Sequence, residues 1–180
     1  MGINKKKSFT LIEVVVSVSV IALILPSVFA IFFSIMRQQI ILIAYKDMLI
    51  QGDNVQNTLR SMIKERAARV TDLTYTTDVC PLLTLPTPTL SASLYLLDRD
   101  GNQIRLSQEI VSPMRIASSS ATKTYYLTSS SVLVTNLGFT CYRSNSYTQP
   151  YVQVFYTLQK SAVYKDASLP YTFSARIFGE

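Results

Sequence analysis

The sequence predicts an α+β fold in which a long N-terminal helix, transmembrane in its first part and a stalk beyond it, packs on an antiparallel β-sheet. Residues 14–36 form a stretch of 23 residues without a charged side chain. Apolar residues then recur at helical spacing as far as Ala67. After Arg69 the chain becomes rich in Thr, Ser, Tyr, Val and Leu, which is typical of strands.

The uncharged stretch is long enough to cross a membrane as a helix. At about 1.5 Å of rise per residue it spans a hydrocarbon layer about 30 Å thick. Its serine hydroxyls can donate hydrogen bonds to backbone carbonyls of the same helix, which satisfies them inside a membrane. Lys5, Lys6 and Lys7 precede it, so the positive-inside rule places the N-terminus in the cytoplasm and the chain after Arg37 outside. The stretch exceeds the apolar core of about 7–15 residues in a secretory signal peptide, which favours a retained anchor.

The helical pattern continues beyond the membrane segment, with charged and polar residues between the apolar positions. The apolar stripe consists of Ile41, Ala44, Met48, Val55, Leu59, Met62 with Ile63, and Ala67. Gly52 interrupts this stripe, and we expect it to loosen the helix. A helix from Phe9 to about Ala68 would be on the order of 90 Å long, which suits a stalk.

The rest of the chain is expected to form strands joined by turns. Ser93–Leu97 and Gln103–Leu106 flank the turn Asp98–Asn102 and predict a hairpin. The segments Ser118–Ala121 and Ser129–Ser131 are expected in turns or loops. Further strands are predicted at Thr124–Leu127, Ser131–Leu137 with Phe139–Tyr142, Tyr151–Gln159 and Tyr171–Ile177. The helix would pack on this sheet through Leu59, Met62, Ile63 and Ala67.

The composition excludes several kinds of active and metal site. The chain has no histidine and two cysteines. Ser-His-Asp and Cys-His catalysis and histidine metal sites are therefore excluded, and a four-thiolate zinc site cannot form. We expect no cofactor and no enzymatic activity.

The N-terminal residues resemble a known processing signal. The string Lys5-Lys6-Lys7-Ser8-Phe9-Thr10-Leu11-Ile12-Glu13, followed by the apolar helix, resembles the class III prepilin signal of type IV pilins and type II secretion pseudopilins. The resemblance implies a pilin fold and a structural subunit of a filament. It also implies cleavage between Ser8 and Phe9 by a prepilin peptidase, N-methylation of Phe9, and an assembly role for Glu13. Ser8 stands where the family almost always has glycine.

The resemblance gives the chain an expected organisation and location. A leader would cover residues 1–8, the transmembrane helix residues 9–36, its amphipathic continuation residues 37–70, and an extracytoplasmic β-rich domain residues 71–180. The protein would cross the inner membrane once and then join other pilins or pseudopilins in a pilus or pseudopilus. The strings Val134–Thr140 and Thr172–Ile177 are similar to the closing strands of J- and W-type minor pseudopilins.

Several residues have a second interpretation. Glu13 also suits a simple helix-terminus acid at the headgroup level. Cys80 and Cys141 would lie outside the cytoplasm, where a disulfide is expected, with two buried free thiols as the alternative. Asp98, Asp100 and Asn102 offer oxygen ligands for calcium, although the spacing is not that of an EF-hand and an ordinary turn is favoured.

Two further interpretations concern partners. The tyrosines, together with Lys123, Arg143, Lys160 and Lys165, offer contact with DNA by stacking and phosphate pairing. Tyrosine on half-exposed strands is more commonly a packing residue, so the sequence favours packing. The alternative function is a membrane-anchored extracytoplasmic protein that binds a ligand, which would keep Met1 to Ser8.

Overall fold

One long helix precedes eight strands in the computed structural model, which describes residues 10–80, 91–110, 113–145, 147–160 and 167–178. Helix α1 is Leu11–Ser61. The chain divides into two compact units, Met1–Ile43 and Ala44–Glu180. The long apolar helix and the antiparallel sheets make this an α+β pilin-like fold, as the sequence predicts.

In the first unit, α1 exposes its large apolar side chains. Within the described residues this is the one helix that is long and apolar enough to cross a membrane. The serine hydroxyls behave as expected: Ser17 donates to the carbonyl oxygen of Glu13 at 2.7 Å, and Ser19 donates to that of Val15 at 2.8 Å. These hydrogen bonds leave an apolar outer surface on the helix.

In the second unit the strands form two antiparallel sheets, whereas the sequence suggested a single one. The five-stranded sheet has the order β1-β2-β3-β4-β5, and the three-stranded sheet has the order β6-β7-β8. The strands of the first sheet are β1 Ala67–Thr71, β2 Ser93–Asp98, β3 Gln103–Glu109, β4 Arg115–Ser120 and β5 Lys123–Tyr126. Those of the second are β6 Val132–Tyr142, β7 Tyr151–Lys160 and β8 Ser168–Arg176.

The helix ends earlier than the expected residue 70. After Ser61 one π-helical turn follows at Met62–Arg66, and the backbone of Ala67 is already extended. The reason is strand pairing: β1 runs antiparallel to β2, with Val70 opposite Leu96. Ala67 is buried, as a helical stripe or a strand would both require. The apolar pattern alone therefore could not identify the last helical residue.

One core joins the helix to both sheets. The helical side chains at its centre are Met48, Val55 and Leu59, followed by Ile63 in the π turn. Inward-facing residues of the strands complete it, among them Leu96, Leu106, Ile116, Val154 and Leu158. The predicted stripe is thus largely correct, and Met62 packs at its border as a partly buried residue.

Strand β4 contains the run Ser118–Ser120 that the sequence assigned to a turn. Ser118 lies opposite Leu106 on one side and Tyr125 on the other, and its side chain is 7% exposed. Pairing on both sides satisfies the backbone of this segment, which overrides the weak strand propensity of serine.

The predicted hairpin between β2 and β3 is confirmed. The amide of Asp98 donates to the carbonyl of Asn102 at 2.9 Å, and Gly101 adopts φ 79° in the turn. The predicted strands Ser131–Leu137 and Phe139–Tyr142 are one strand, β6, with a bulge between Thr135 and Gly138. At the bulge, a Cβ on Gly138 would overlap the ring of Phe155, so any other residue there would require that ring to move.

Candidate functional site

The candidate assembly residue Glu13 lies in the first turn of α1. The amides of Glu13 and Val14 donate to the carbonyl of Thr10 at 3.1 and 3.3 Å, so the first turn of the helix is hydrogen-bonded. The Glu13 side chain is exposed, and a carboxylate is favoured at the positive end of a helix dipole. Ser8 and Phe9, the expected cleavage residues, lie outside the described residues.

Apolar side chains surround Glu13. Leu11 and Ile12 are exposed, and so are the large apolar residues that follow along the helix as far as Met36. A carboxylate within such a surface costs free energy when lipid or apolar side chains cover it, unless a cation neutralises it. The ion pairs recorded among the described residues, Arg143–Asp78 and Lys160–Asp47, lie elsewhere in the chain.

The second unit holds the helix through two tyrosines of the three-stranded sheet. The hydroxyl of Tyr156 donates to the carbonyl of Gly52 at 3.0 Å, and that of Tyr171 donates to the carbonyl of Leu49 at 3.4 Å. Their rings stack, with centroids 5.2 Å apart. Burial raises the pKa of both phenols, so they stay protonated and keep donating at neutral pH.

A polar network fastens the same helix to the loop before β6. Gln51 donates to the hydroxyl of Ser129 at 2.7 Å and to that of Ser131 at 3.0 Å. Asp47 pairs with Lys160 at the end of β7. The hydrogen bond from Lys160 is the largest cause that lowers the pKa of Asp47, and Gln51 and Ser131 add to it.

Cys80 and Cys141 form a disulfide, with their Cα atoms 5.0 Å apart. The bond joins β6 to the segment that follows β1. Two residues away from each cysteine, Asp78 and Arg143 form an ion pair. The covalent bond and the ion pair therefore hold the same two segments together.

A cavity of about 230 Å³ lies beside the disulfide. Its lining includes Thr71, Leu94, Tyr95, Phe139 and Cys141. Pockets for drug-sized ligands usually measure about 300–1,000 Å³. The cavity is thus small for the ligand site that the alternative function requires.

In the acidic turn considered for calcium, one carboxylate oxygen is hydrogen-bonded within the hairpin. The carboxylate of Asp98 accepts a hydrogen bond from the amide of Arg99 at 2.6 Å. In the part of the chain that the structure describes, no three His, Cys, Asp or Glu side chains lie together as a metal site would need.

Sequence reasoning missed the residues that fix the helix to the sheets. Tyr156, Tyr171, Gln51 and Asp47 carried no recognisable motif. Gly52 did carry a signal, since a glycine within an apolar stripe often marks a close approach of another group. The structure shows such an approach, with Tyr171 against Gly52, instead of the expected loosening.

Comparison with known proteins identifies one feature. The family model described as the prokaryotic N-terminal methylation motif matches residues 3–25. No curated protein and no solved structure matches the chain. The matched segment contains Ser8, Phe9 and Glu13 and the first part of α1. The chain therefore carries a type IV pilin-like signal, and this signal together with the apolar helix fits a processed, membrane-anchored structural subunit.

Proposed function

We propose that the protein is a minor pilin or pseudopilin, a structural subunit of a type IV pilus or a type II secretion-like filament. The observation that carries the proposal is the N-terminal methylation motif at residues 3–25, continuous with an apolar helix whose side chains are exposed. Such a helix needs lipid or other helices to cover it. A subunit that moves from the membrane into a filament meets both environments in turn.

In this proposal the precursor crosses the inner membrane once, with residues 1–8 in the cytoplasm and the β-rich domain outside. A prepilin peptidase cleaves between Ser8 and Phe9 and methylates the new amine of Phe9. Other pilins or pseudopilins then pack against the helix, with Glu13 as the assembly carboxylate. The disulfide agrees with this location, because such bonds persist outside the reducing cytoplasm.

Processing provides the decisive experiment. The full-length chain is co-expressed with a prepilin peptidase, and the mass of the purified product is measured. We expect loss of residues 1–8 and the gain of one methyl group on Phe9. A peptidase that is catalytically inactive serves as the control and should leave the precursor intact.

A substitution at the expected cleavage site sharpens this test. Ser8→Gly restores the residue that the family favours and should be processed at least as fast as the native chain. Ser8→Leu places a bulky side chain before the cut and should block it. An unprocessed native chain, with Ser8→Gly also unprocessed, would contradict the proposed function and would favour a permanently anchored protein.

A further inference from the structure

The five-stranded sheet has an outer face, turned away from the core, that carries arginine and tyrosine side chains. Tyr95 lies opposite Arg105 across β2 and β3, and Tyr126 lies opposite Ala117 across β5 and β4. Successive residues of a strand point to opposite faces, and Leu94, Leu96 and Leu106 point into the core. The outer face thus contains what we call the Arg/Tyr face: Arg69, Tyr95, Arg105, Arg115 and Tyr126.

On the Arg/Tyr face the two residue types contact one another. The guanidinium of Arg115 lies 4.0 Å from the ring centroid of Tyr126, and that of Arg105 lies 5.9 Å from the centroid of Tyr95. Tyr75, in the turn after β1, meets Tyr95 edge-on with centroids 5.5 Å apart. These contacts hold the rings and the guanidinium groups in defined positions on the sheet.

The charge of this face is positive. Three arginines stand against one acid, Glu109, which lies opposite Arg115. Asp72 borders the face, but its carboxylate accepts hydrogen bonds from the Thr74 hydroxyl and the Thr76 amide. Arginine keeps its charge at every physiological pH, so the face attracts anions under all such conditions.

The spacing of the rings suits an extended chain of bases. Tyr95 is on β2 and Tyr126 on β5, three strand separations apart and two residues further along the strand direction, which places them about 16 Å apart. Ser107 and Ala117 lie in the same row of the sheet as Tyr126; both are small and buried, so they do not project above the rings. Aromatic rings on the face of an open sheet can stack bases, and arginines beside them can bind the phosphates.

The geometry points to a binding surface for single-stranded nucleic acid on the Arg/Tyr face. Charge alone would suit any polyanion, but the two rings beside the arginines match a ligand that has flat aromatic groups as well as phosphates. Three of the four cations that the sequence suggested are less suitable. Lys160 and Arg143 are engaged with Asp47 and Asp78, and Lys165 lies outside the described residues.

The test measures binding of a labelled oligothymidylate of about 16 nucleotides to the full-length protein in detergent micelles. We expect Tyr95→Ala and Tyr126→Ala each to weaken binding about tenfold, while Tyr95→Phe and Tyr126→Phe bind as the native chain does. Arg105→Gln should lower the slope of log affinity against log salt by about 0.7. Arg176→Gln is the matched control, because Arg176 stacks on Tyr151 in the other sheet, and it should leave binding unchanged.

Other outcomes would overturn the inference. A heparin fragment of equal charge that binds as tightly as the oligonucleotide would show a general polyanion surface. Equal binding of duplex DNA, whose bases are stacked away from the protein, would exclude stacking on the tyrosines. Tyr→Ala variants that keep both their melting temperature and their affinity would place any binding elsewhere, and an absence of binding by the native chain would refute the proposal outright.

Discussion

The ring of Tyr171 occupies the space into which a side chain at Gly52 would project. A Cβ added to Gly52 would overlap the ring. The neighbouring Tyr156 stacks on Tyr171 and donates its hydroxyl hydrogen to the carbonyl of Gly52. The close approach of helix and sheet at this point therefore depends on the absence of a side chain.

We expect Gly52→Ala to destabilise the protein, although alanine favours helices. Overpacking typically costs about 1–3 kcal/mol, and the gain in helix propensity recovers at most about 1 kcal/mol. The net loss should be about 1 kcal/mol, taking about 2 kcal/mol for the overlap less about 1 kcal/mol of helix propensity, and is measured by thermal or urea unfolding in detergent. Asn54→Ala, an exposed position of the same helix, is the control and should be neutral or slightly stabilising.

A double variant distinguishes this explanation from a general effect on the helix. Tyr171→Ala removes the obstructing ring, so adding Gly52→Ala in that background should no longer destabilise the protein. If Gly52→Ala lowers the free energy of unfolding equally in the native and the Tyr171→Ala backgrounds, the packing argument is contradicted.

The ion pair of Asp47 with Lys160 should make the stability of the fold depend on pH in the acidic range. The folded state lowers the pKa of Asp47 below its ordinary value of 3.8. The pair therefore stabilises the fold above about pH 4 and loses that contribution as the pH falls through the folded pKa. Because the Asp47 side chain is 37% exposed, the contribution should not exceed about 1 kcal/mol.

The measurement compares melting temperatures of the native chain and Asp47→Asn between pH 7 and pH 2. The difference should be largest near neutral pH and should shrink below about pH 4. Lys160→Gln removes the other partner and should reproduce the same profile. A difference that stays constant over the whole range would mean that the loss comes from packing and not from the charge.

The Cys80–Cys141 disulfide should contribute strongly to stability. It closes a loop with a sequence separation of 61, for which the chain-entropy model gives about 4 kcal/mol. Reduction, or the double change of both cysteines to serine, should lower the free energy of unfolding by about that amount. Peptide mapping of exported protein without reductant should recover the two cysteine peptides joined. Two freely alkylated thiols in that material would rule the bond out.

Much of the second unit follows from sequence periodicity. Met48, Val55 and Leu59 show the helical period, and the turn of Asp98–Asn102 identifies the hairpin between β2 and β3. These features depend on local patterns, so they are readable in one sequence. The N-terminal signal is equally local, and the match at residues 3–25 covers the residues quoted for it.

Features that depend on contacts between residues distant in the sequence could not be predicted from the sequence alone. Ser118 is in a strand because two neighbouring strands pair with its segment, and the sequence of the segment itself indicated a turn. The division into two sheets also depends on which strands pair. Ala67 suits both a helical stripe and a strand, and its pairing with Asp98 in β2 decides between them.

Glu13 provides the last prediction, which rests on the proposed function. After cleavage, the Phe9 amine would carry a positive charge close to the apolar surface of the helix, and Glu13 a negative one. A Glu13 carboxylate that reaches the Phe9 amine of an adjacent subunit would neutralise both charges and fix the axial register. Two unit charges about 4 Å apart attract by about 4 kcal/mol at an effective dielectric constant of about 20.

We therefore expect Glu13→Leu to insert into the membrane and to be processed almost normally, but to enter the filament or its tip complex poorly. Leucine keeps the helix apolar and removes only the charge, so insertion should not suffer. Incorporation is measured by co-purification with partner pilins. Ser17→Ala is the control, because it removes the hydroxyl that bonds to the Glu13 carbonyl and leaves the carboxylate in place. Normal incorporation of Glu13→Leu would show that Glu13 serves only as an acid at the helix terminus.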